Sequence, residues 1–293
     1  MRFMRVGAKG SERPAVLDGA GIVRDLSGLD VEIAGGLPAP GSRGAIERAV
    51  ADGSLPALGE WTGSGAFEMR DGRRVGAPLH KPEKIVCIGL NYKDHASETG
   101  SPIPTEPVVF MKAPNCLVGP YDEILVPRLS QKTDWEVELA VVIGARARYL
   151  GSPDDAPSVI AGYAISNDVS EREFQTERGG QWVKGKSCET FNPFGPWVAT
   201  RDEIADPQSI GLELAVNGTT RQNGTTANMI FGVNHVVWYL SQFMVLEPGD
   251  IVNTGTPAGV SLGHPDVPFL TAGDVVELAA DGLGRQRCRV GQA

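Results

Sequence analysis

Apolar residues along this chain fall in short runs. Most alternate with polar residues and are bounded by Gly, Pro, Asn or Asp. That is strand spacing, with side chains repeating on one face every second residue. Residues 3–7, 14–17 and 22–26 predict three short strands, with Asp18-Gly19 as the hairpin turn between the last two. Residues 45–50 have helical spacing, and Ser42 is placed to cap that helix. Residues 62–80 are rich in Gly, Arg and Pro and read as a linker. Beyond them, residues 84–90 predict a buried strand and residues 91–98 a turn or short helix. Residues 107–112 and 123–127 are strand-like, 145–158 form a polar connection, and 160–168 form an apolar strand ending on an acid. Arg172 and Gln175 follow on a short helix. A Gly-rich turn then leads into a strand on which Lys184 and Lys186 share a face. Residues 212–222 predict a hairpin on Asn217-Gly218, 235–243 a helix with His235 at its polar edge, and 248–260 a strand running into a tight Gly/Pro turn. A last hairpin forms around Asp281-Gly282. The pattern is that of a mainly β (α+β) protein. A small N-terminal unit over residues 1–78 precedes a larger one over residues 79–293, with the boundary near Ala77.

One strand departs from the alternation rule. In Asp134-Trp135-Glu136-Val137-Glu138-Leu139-Ala140-Val141-Val142-Ile143-Gly144, Glu136 and Glu138 point to one face of a strongly apolar strand. Two buried carboxylates on one face are costly unless positive charge lies between them. A divalent cation answers that cost, because hard cations prefer carboxylate oxygens. The alternative is a half-exposed edge strand with solvated glutamates.

Composition narrows the class. The chain has 293 residues, 41% hydrophobic and 22% charged, with 37 Gly and 21 Pro, which suits a globular protein of turns and short strands. A net charge of -9 without a Lys/Arg block excludes a nucleic-acid backbone as the natural partner. No signal peptide precedes the first strand, and no apolar run reaches the roughly 20 residues of a membrane span. Cys87, Cys116, Cys188 and Cys288 form no Cys-x-x-Cys pair and fit a reducing cytoplasm.

Four further groups carry candidate chemistry. His95 and Glu98, three apart, touch if residues 91–98 are helical, and a carboxylate-held imidazole suits a general base. A surface histidine beside a chance acid is the alternative. Asp168, at a strand end, either completes a three-carboxylate oxygen site or starts a turn. Arg172, Lys184 and Lys186 either neutralise such a site and bind an anionic substrate, or are surface charge. Thr254 and Thr256 flank Gly255 and can offer hydroxyls and N–H groups to a carboxylate; a plain turn is the alternative.

The motifs Gly89-x-Asn91-Tyr92-x-x-His95-x-x-Glu98, Phe110-x-Lys112, Trp135-Glu136-x-Glu138, Asn167-Asp168-x-Ser170-x-Arg172, Lys184-x-Lys186 and Thr254-Gly255-Thr256-Pro257 occur in this order. Together they resemble the fumarylacetoacetate hydrolase family, from about residue 80 to the end. The stretches 170–175 and 179–188 resemble its 2,4-diketo-3-deoxy-L-rhamnonate or fuconate hydrolase branch. The resemblance implies a mixed β-sandwich roll, usually a homodimer, with Mg²⁺ or Mn²⁺ held by Glu136, Glu138 and Asp168. It implies His95 with Glu98 as a water-activating dyad on a mobile segment, and Lys186 as partner of developing negative charge. It places Arg172, Gln175 and Thr256 near the substrate, a small 2-oxo acid. The implied reaction is hydrolysis of the C3–C4 bond of a 2,4-dioxo acid, an acylpyruvate or a 2,4-diketo-3-deoxy sugar acid, to pyruvate and a second acid. The same site in other hands decarboxylates oxaloacetate, dehydrates a 2-keto-3-deoxy acid or isomerises a hydroxymuconate. A non-catalytic protein stabilised by its ion is the reading from outside enzymology.

Overall fold

The computed structural model describes residues 1–31, 33–34, 37–39, 41–62 and 69–293. Among these residues one sheet of 11 strands forms the backbone of the molecule. Its centre is the strand Val137–Ile143, which pairs antiparallel with Ile160–Asn167 on one side and Ile251–Asn253 on the other. Ile251–Asn253 runs parallel to Ile85–Gly89, which pairs with Val108–Lys112 at one edge. Every residue of Val137–Ile143 is buried, so the edge-strand alternative is overturned. With neighbours on both sides and cover on both faces, β-branched and aliphatic residues are the ones that fit. Burial of each such side chain is worth ~1.5–3 kcal/mol.

A second sheet packs across this centre. Gly211–Val216 and Thr219–Thr225 form the predicted hairpin, and Val275–Ala280 with Gly284–Gln292 the last one. Ile124–Val126 adds to Gly284–Gln292 in parallel. Two buried glutamines tie the layers. Gln222 accepts from the Val137 N–H at 2.9 Å, and Gln286 donates to the carbonyls of Ile165 and Gly195 at 3.0 Å. Each satisfies a main-chain group that apolar packing would leave unpaired. The predicted second helix, Val233–Ser241, packs on the short turn Pro153–Ser158.

The N-terminal strands come out as Arg2–Val6, Arg13–Leu17 and Ile22–Asp25. They continue the large sheet, because Arg2 and Phe3 pair with Ala199 and Val198. The helix spans Arg43–Ala51, but Ser42 makes no side-chain cap bond. The expected linker is corrected in part. Residues 63–68 lie outside the described residues, yet Val75–Gly76 pairs with Arg2–Val6, and Met69, Val75 and Leu79 are buried. Composition misled here because Arg74 is not a solvated arginine. It binds Glu12 at 2.7 Å and Asp122. The division at residue 78 stays a proposal about how the chain is organised.

Glu12 also binds Arg5 at 3.0 Å. Burial raises its carboxyl, but the hydrogen bonds and charges of Arg74 and Arg5 outweigh that and hold it below its ordinary value of 4.5. A depressed acid gives stability that is present above its unfolded pKa and lost as pH falls through the folded value. Glu12→Gln should therefore cost ~1–3 kcal/mol at neutral pH, and the gap to wild type should be smaller at a pH well below the ordinary carboxyl value. Urea unfolding at the two pH values checks this; a gap of constant size would assign the loss to something other than the carboxylate charge.

Candidate active site

Sheet register builds the acidic site. Val137 pairs with Asn167 and Glu138 with Ser166, so Glu136 and Asp168 lie opposite each other where the two strands part. The Asp168 N–H donates to the Glu136 carbonyl at 2.9 Å, and the Glu136 N–H to the Asn167 side chain at 3.0 Å. Glu138, two residues on, shares the face. The three carboxylates offer oxygens within 4.8 Å of one another, and all three residues are buried.

Three cations face them. Lys186 Nζ lies 2.8 Å from Glu136 Oε2 and 2.9 Å from Asp168 Oδ2. Arg172 Nη1 lies 2.7 Å from Glu136 Oε1, and Lys112 pairs with Asp168. Burial would raise the Glu136 carboxyl, but Lys186 and Arg172 hold it down to about 2. The ammonium of Lys186, despite burial, is held in its charged form by Asp168 and Glu136. Glu138 is different. Among the described residues no Lys or Arg pairs with it, and its acceptor bond comes from the Gly255 N–H at 2.8 Å. Burial, then the charges of Asp168 and Glu136, push its carboxyl well above the ordinary range. A buried acid forced toward neutrality beside two ionised ones is a site short of positive charge. An oxygen-only donor set of this kind fits a hard divalent cation.

The expected strand through Lys184 and Lys186 is corrected. Val183–Lys186 is one helical turn, so the two lysines point apart, Lys186 inward and Lys184 to solvent on the Arg178 carbonyl. The turn closes against Glu171 and Gln175 through Gly185, where a Cβ would sit 2.4 Å from the Glu171 carbonyl oxygen. Only glycine allows that approach. A side effect is a cation–π contact, with Lys186 Nζ 4.9 Å from the Phe110 ring.

The dyad forms as spacing predicts. His95 and Glu98 lie on the helix Lys93–Glu98, with Nδ1 2.8 Å from Glu98 Oε1. A carboxylate only accepts, so Nδ1 carries a proton, and in the neutral ring Nε2 is the acceptor. Both residues are largely buried, and His95 is near enough to Glu136 to bear on its charge. Burial raises Glu98, but bonds from His95, the Gly259 N–H and His264 hold it low. Gln175 accepts from Arg172 Nη1 at 3.1 Å, while Arg172 Nη2 is buried without a partner among the described residues. The hydroxyls of Thr254 and Thr256 are spent on the Leu139 and Val137 carbonyls at 2.7 and 2.9 Å. The main-chain N–H of Gly255, between them, is what reaches a carboxylate.

Asp134 was missed. Its buried carboxylate accepts from the N–H groups of Trp135, Ser261 and Leu262 and from Arg172 Nε, at 2.9–3.0 Å. It stood in the stretch singled out above, but its partners are distant in sequence. A cavity of about 800 Å³ lies elsewhere, lined by Phe3, Ile143 and Ile160, and takes in none of these residues.

Glu138→Gln removes the uncompensated carboxylate. The ion-free protein should be as stable as wild type or more so. Saturating Mn²⁺ should raise the wild-type unfolding midpoint by several degrees (~2–3 kcal/mol at about a hundred times Kd) and leave the variant unmoved. Differential scanning calorimetry with and without EDTA reads both, and an equal Mn²⁺ shift in the two proteins would remove Glu138 from the ligand set.

A family model described as the C-terminal part of fumarylacetoacetate (FAA) hydrolase matches residues 84–291. The chain is 46% identical, over its full length and 96% of the relative, to a 2,4-didehydro-3-deoxy-L-rhamnonate hydrolase of Sphingomonas sp. (strain SKA58). Among solved structures, the fumarylacetoacetate hydrolase of Exiguobacterium antarcticum superposes with a TM-score of 0.82 at 33% identity, covering both chains completely. The maleylpyruvate hydrolase of Sphingobium sp. SYK-6, in complex with manganese(II) ion and pyruvate, does so with a TM-score of 0.78 at 27% identity, again over both chains completely.

Proposed function

The chain belongs to the fumarylacetoacetate hydrolase family, and we propose that it hydrolyses the C3–C4 bond of a 2,4-dioxo acid, of the 2,4-diketo-3-deoxy sugar acid class. The observation that carries this reading is one buried site uniting three carboxylates, a lysine between two of them and a carboxylate-held histidine. The rhamnonate hydrolase relative supports the sugar-acid class.

Glu136, Glu138 and Asp168 would hold a divalent cation, Mg²⁺ or Mn²⁺, whose Lewis acidity polarises the 1-carboxylate and 2-oxo oxygens of a bound substrate. Arg172 offers its unpartnered Nη2 to a substrate oxygen and is kept in place by Asp134 and Gln175. His95 Nε2 takes a proton from water, while Glu98 keeps the Nδ1 proton where it is. The hydroxide oxygen bonds to C4, and the C3–C4 bond breaks with its electron pair leaving on C3 and the 2-oxo oxygen. The Lys186 ammonium stabilises that enolate charge in a dry setting. Protonation at C3 then gives pyruvate, and the C4 fragment leaves as a carboxylic acid. Thr256 acts at one remove, through the Val137 carbonyl and Gln222.

The working unit is a homodimer in the cytoplasm. Val109 and Met111 expose alternate apolar side chains on the edge strand Val108–Lys112, and the four cysteines are free. No described helix is long and apolar enough to cross a membrane.

Acylpyruvates, 2,4-diketo-3-deoxy sugar acids and oxaloacetate, each incubated with Mg²⁺ and again with EDTA, test the reading by mass spectrometry. The expected result is pyruvate plus a second acid from a diketo sugar acid, abolished by EDTA. His95→Ala should lower kcat by about 10²–10⁴ while keeping the Mn²⁺-induced rise in unfolding midpoint. Pyruvate plus carbon dioxide from oxaloacetate, with no other substrate turned over, would move the protein to the decarboxylases, and a His95→Ala protein of full activity would remove the proposed base.

A further inference from the structure

Glu98 gives only one oxygen to His95. Its second oxygen, Oε2, accepts from the Gly259 N–H at 2.8 Å and lies 2.9 Å from His264 Nε2. The carboxylate is therefore shared by two imidazoles. They differ in setting, for the His95 side chain is 9% exposed and that of His264 is 48% exposed.

His264 is held firmly for an exposed residue. Its N–H donates to the Ser261 carbonyl at 3.0 Å, and its own carbonyl accepts from the Val267 N–H at 2.9 Å. Ser261 Oγ closes the same turn on the Val267 carbonyl at 2.7 Å. The Ser261 and Leu262 N–H groups are fixed on Asp134. Gly263 lets the loop lie flat on the dyad, since a Cβ there would come within 2.9 Å of Glu98 Cγ. The loop thus aims one ring nitrogen at one carboxylate oxygen.

The dyad needs such an anchor. Glu98 is the last residue of a six-residue helix, too short to hold its side chains by its own hydrogen bonds. A carboxylate bonded through one oxygen swings about its last torsion; donors on both oxygens fix its plane, and on Oε2 the ring of His264 adds a second donor to the Gly259 N–H. The ionisable groups bearing on the cluster are His95, Glu98, His264 and, through His95, Glu136.

We infer that His264 is a positioning residue: it grips Glu98 from the solvent side, fixes the carboxylate plane, and so keeps the His95 proton on Nδ1 and presents Nε2 as the acceptor. The kinetic part rests on the proposed role of His95 as the base.

Two variants separate positioning from structure. His264→Gln keeps an N–H donor near the place of Nε2, and His264→Leu removes it. On the diketo acid with Mg²⁺, the Leu variant should lose about ten-fold in kcat with KM within about two-fold, and the Gln variant should recover to within about three-fold of wild type. Imidazole ¹⁵N spectra should show His95 protonated at Nδ1 in wild type and Gln variant, and a tautomer mixture in the Leu variant. A Leu variant with wild-type kcat and wild-type His95 tautomer would overturn the inference. So would a loss shared by both variants together with a lowered unfolding midpoint, which marks a structural role. If wild type turns over no substrate, the base assignment fails. The spectra still decide the positioning claim, and a fixed Nδ1 proton in the Leu variant refutes it.

Discussion

Seven ionisable groups share one dry volume at the centre of this protein. Asp134, Glu136, Glu138 and Asp168 meet Lys112, Arg172 and Lys186, and each residue is at most 6% exposed. Moving even one such group out of water costs several kcal/mol, and mutual attraction repays it only when the geometry is held. The fully buried strand Val137–Ile143, the glutamines that tie the two sheets and the close turn at Gly185 are what hold it. The cations cover three of the four carboxylates. Glu138 is left over, and that one uncompensated carboxyl is what makes the cluster a candidate cation site rather than a closed salt-bridge network.

Asp134 joins this cluster to the dyad. One of its oxygens binds Arg172, which grips Glu136, and the other binds the Ser261 N–H. The same loop supplies Gly259 and His264 to Glu98. The parts proposed to bind the substrate and the parts proposed to move a proton are therefore set by a single buried carboxylate. Neither half can shift without disturbing the hydrogen bonds of the other.

Much of this was legible in the chain because it rests on local periods. Alternation gave the strands on either side of Asp18-Gly19, Asn217-Gly218 and Asp281-Gly282. The two-residue spacing of Glu136 and Glu138 and the three-residue spacing of His95 and Glu98 gave shared faces, and the structure bears those faces out. What stayed hidden depends on contacts across the chain. Four residues are too few to display a helical period, so Lys184 and Lys186 read as a strand pair. Arg74 and Val75 sat in a polar, Gly-rich stretch whose composition resembles a linker, and only the partners Glu12 and Asp122 reveal it as packed. His264 lies 166 positions from Glu98 and has no local signal. The threonines around Gly255 were read for their hydroxyls, but the main-chain carbonyls of Leu139 and Val137 claim those first.

Among the described residues the N-terminal strands supply no member of the carboxylate cluster or the dyad, and their place in the sheet has another consequence. Arg2–Val6 lies along the edge of the short strand Val198–Thr200, next to Ile160–Asn167. An uncovered edge there would offer unpaired N–H and carbonyl groups to any other chain, one strand away from the segment that carries Asp168. Among the described strands the meander moves the end of the sheet out to Ala57–Glu60, which ends on a charged residue. The strand beside the Asp168 segment is thereby paired on both sides, which removes it as a template for another chain.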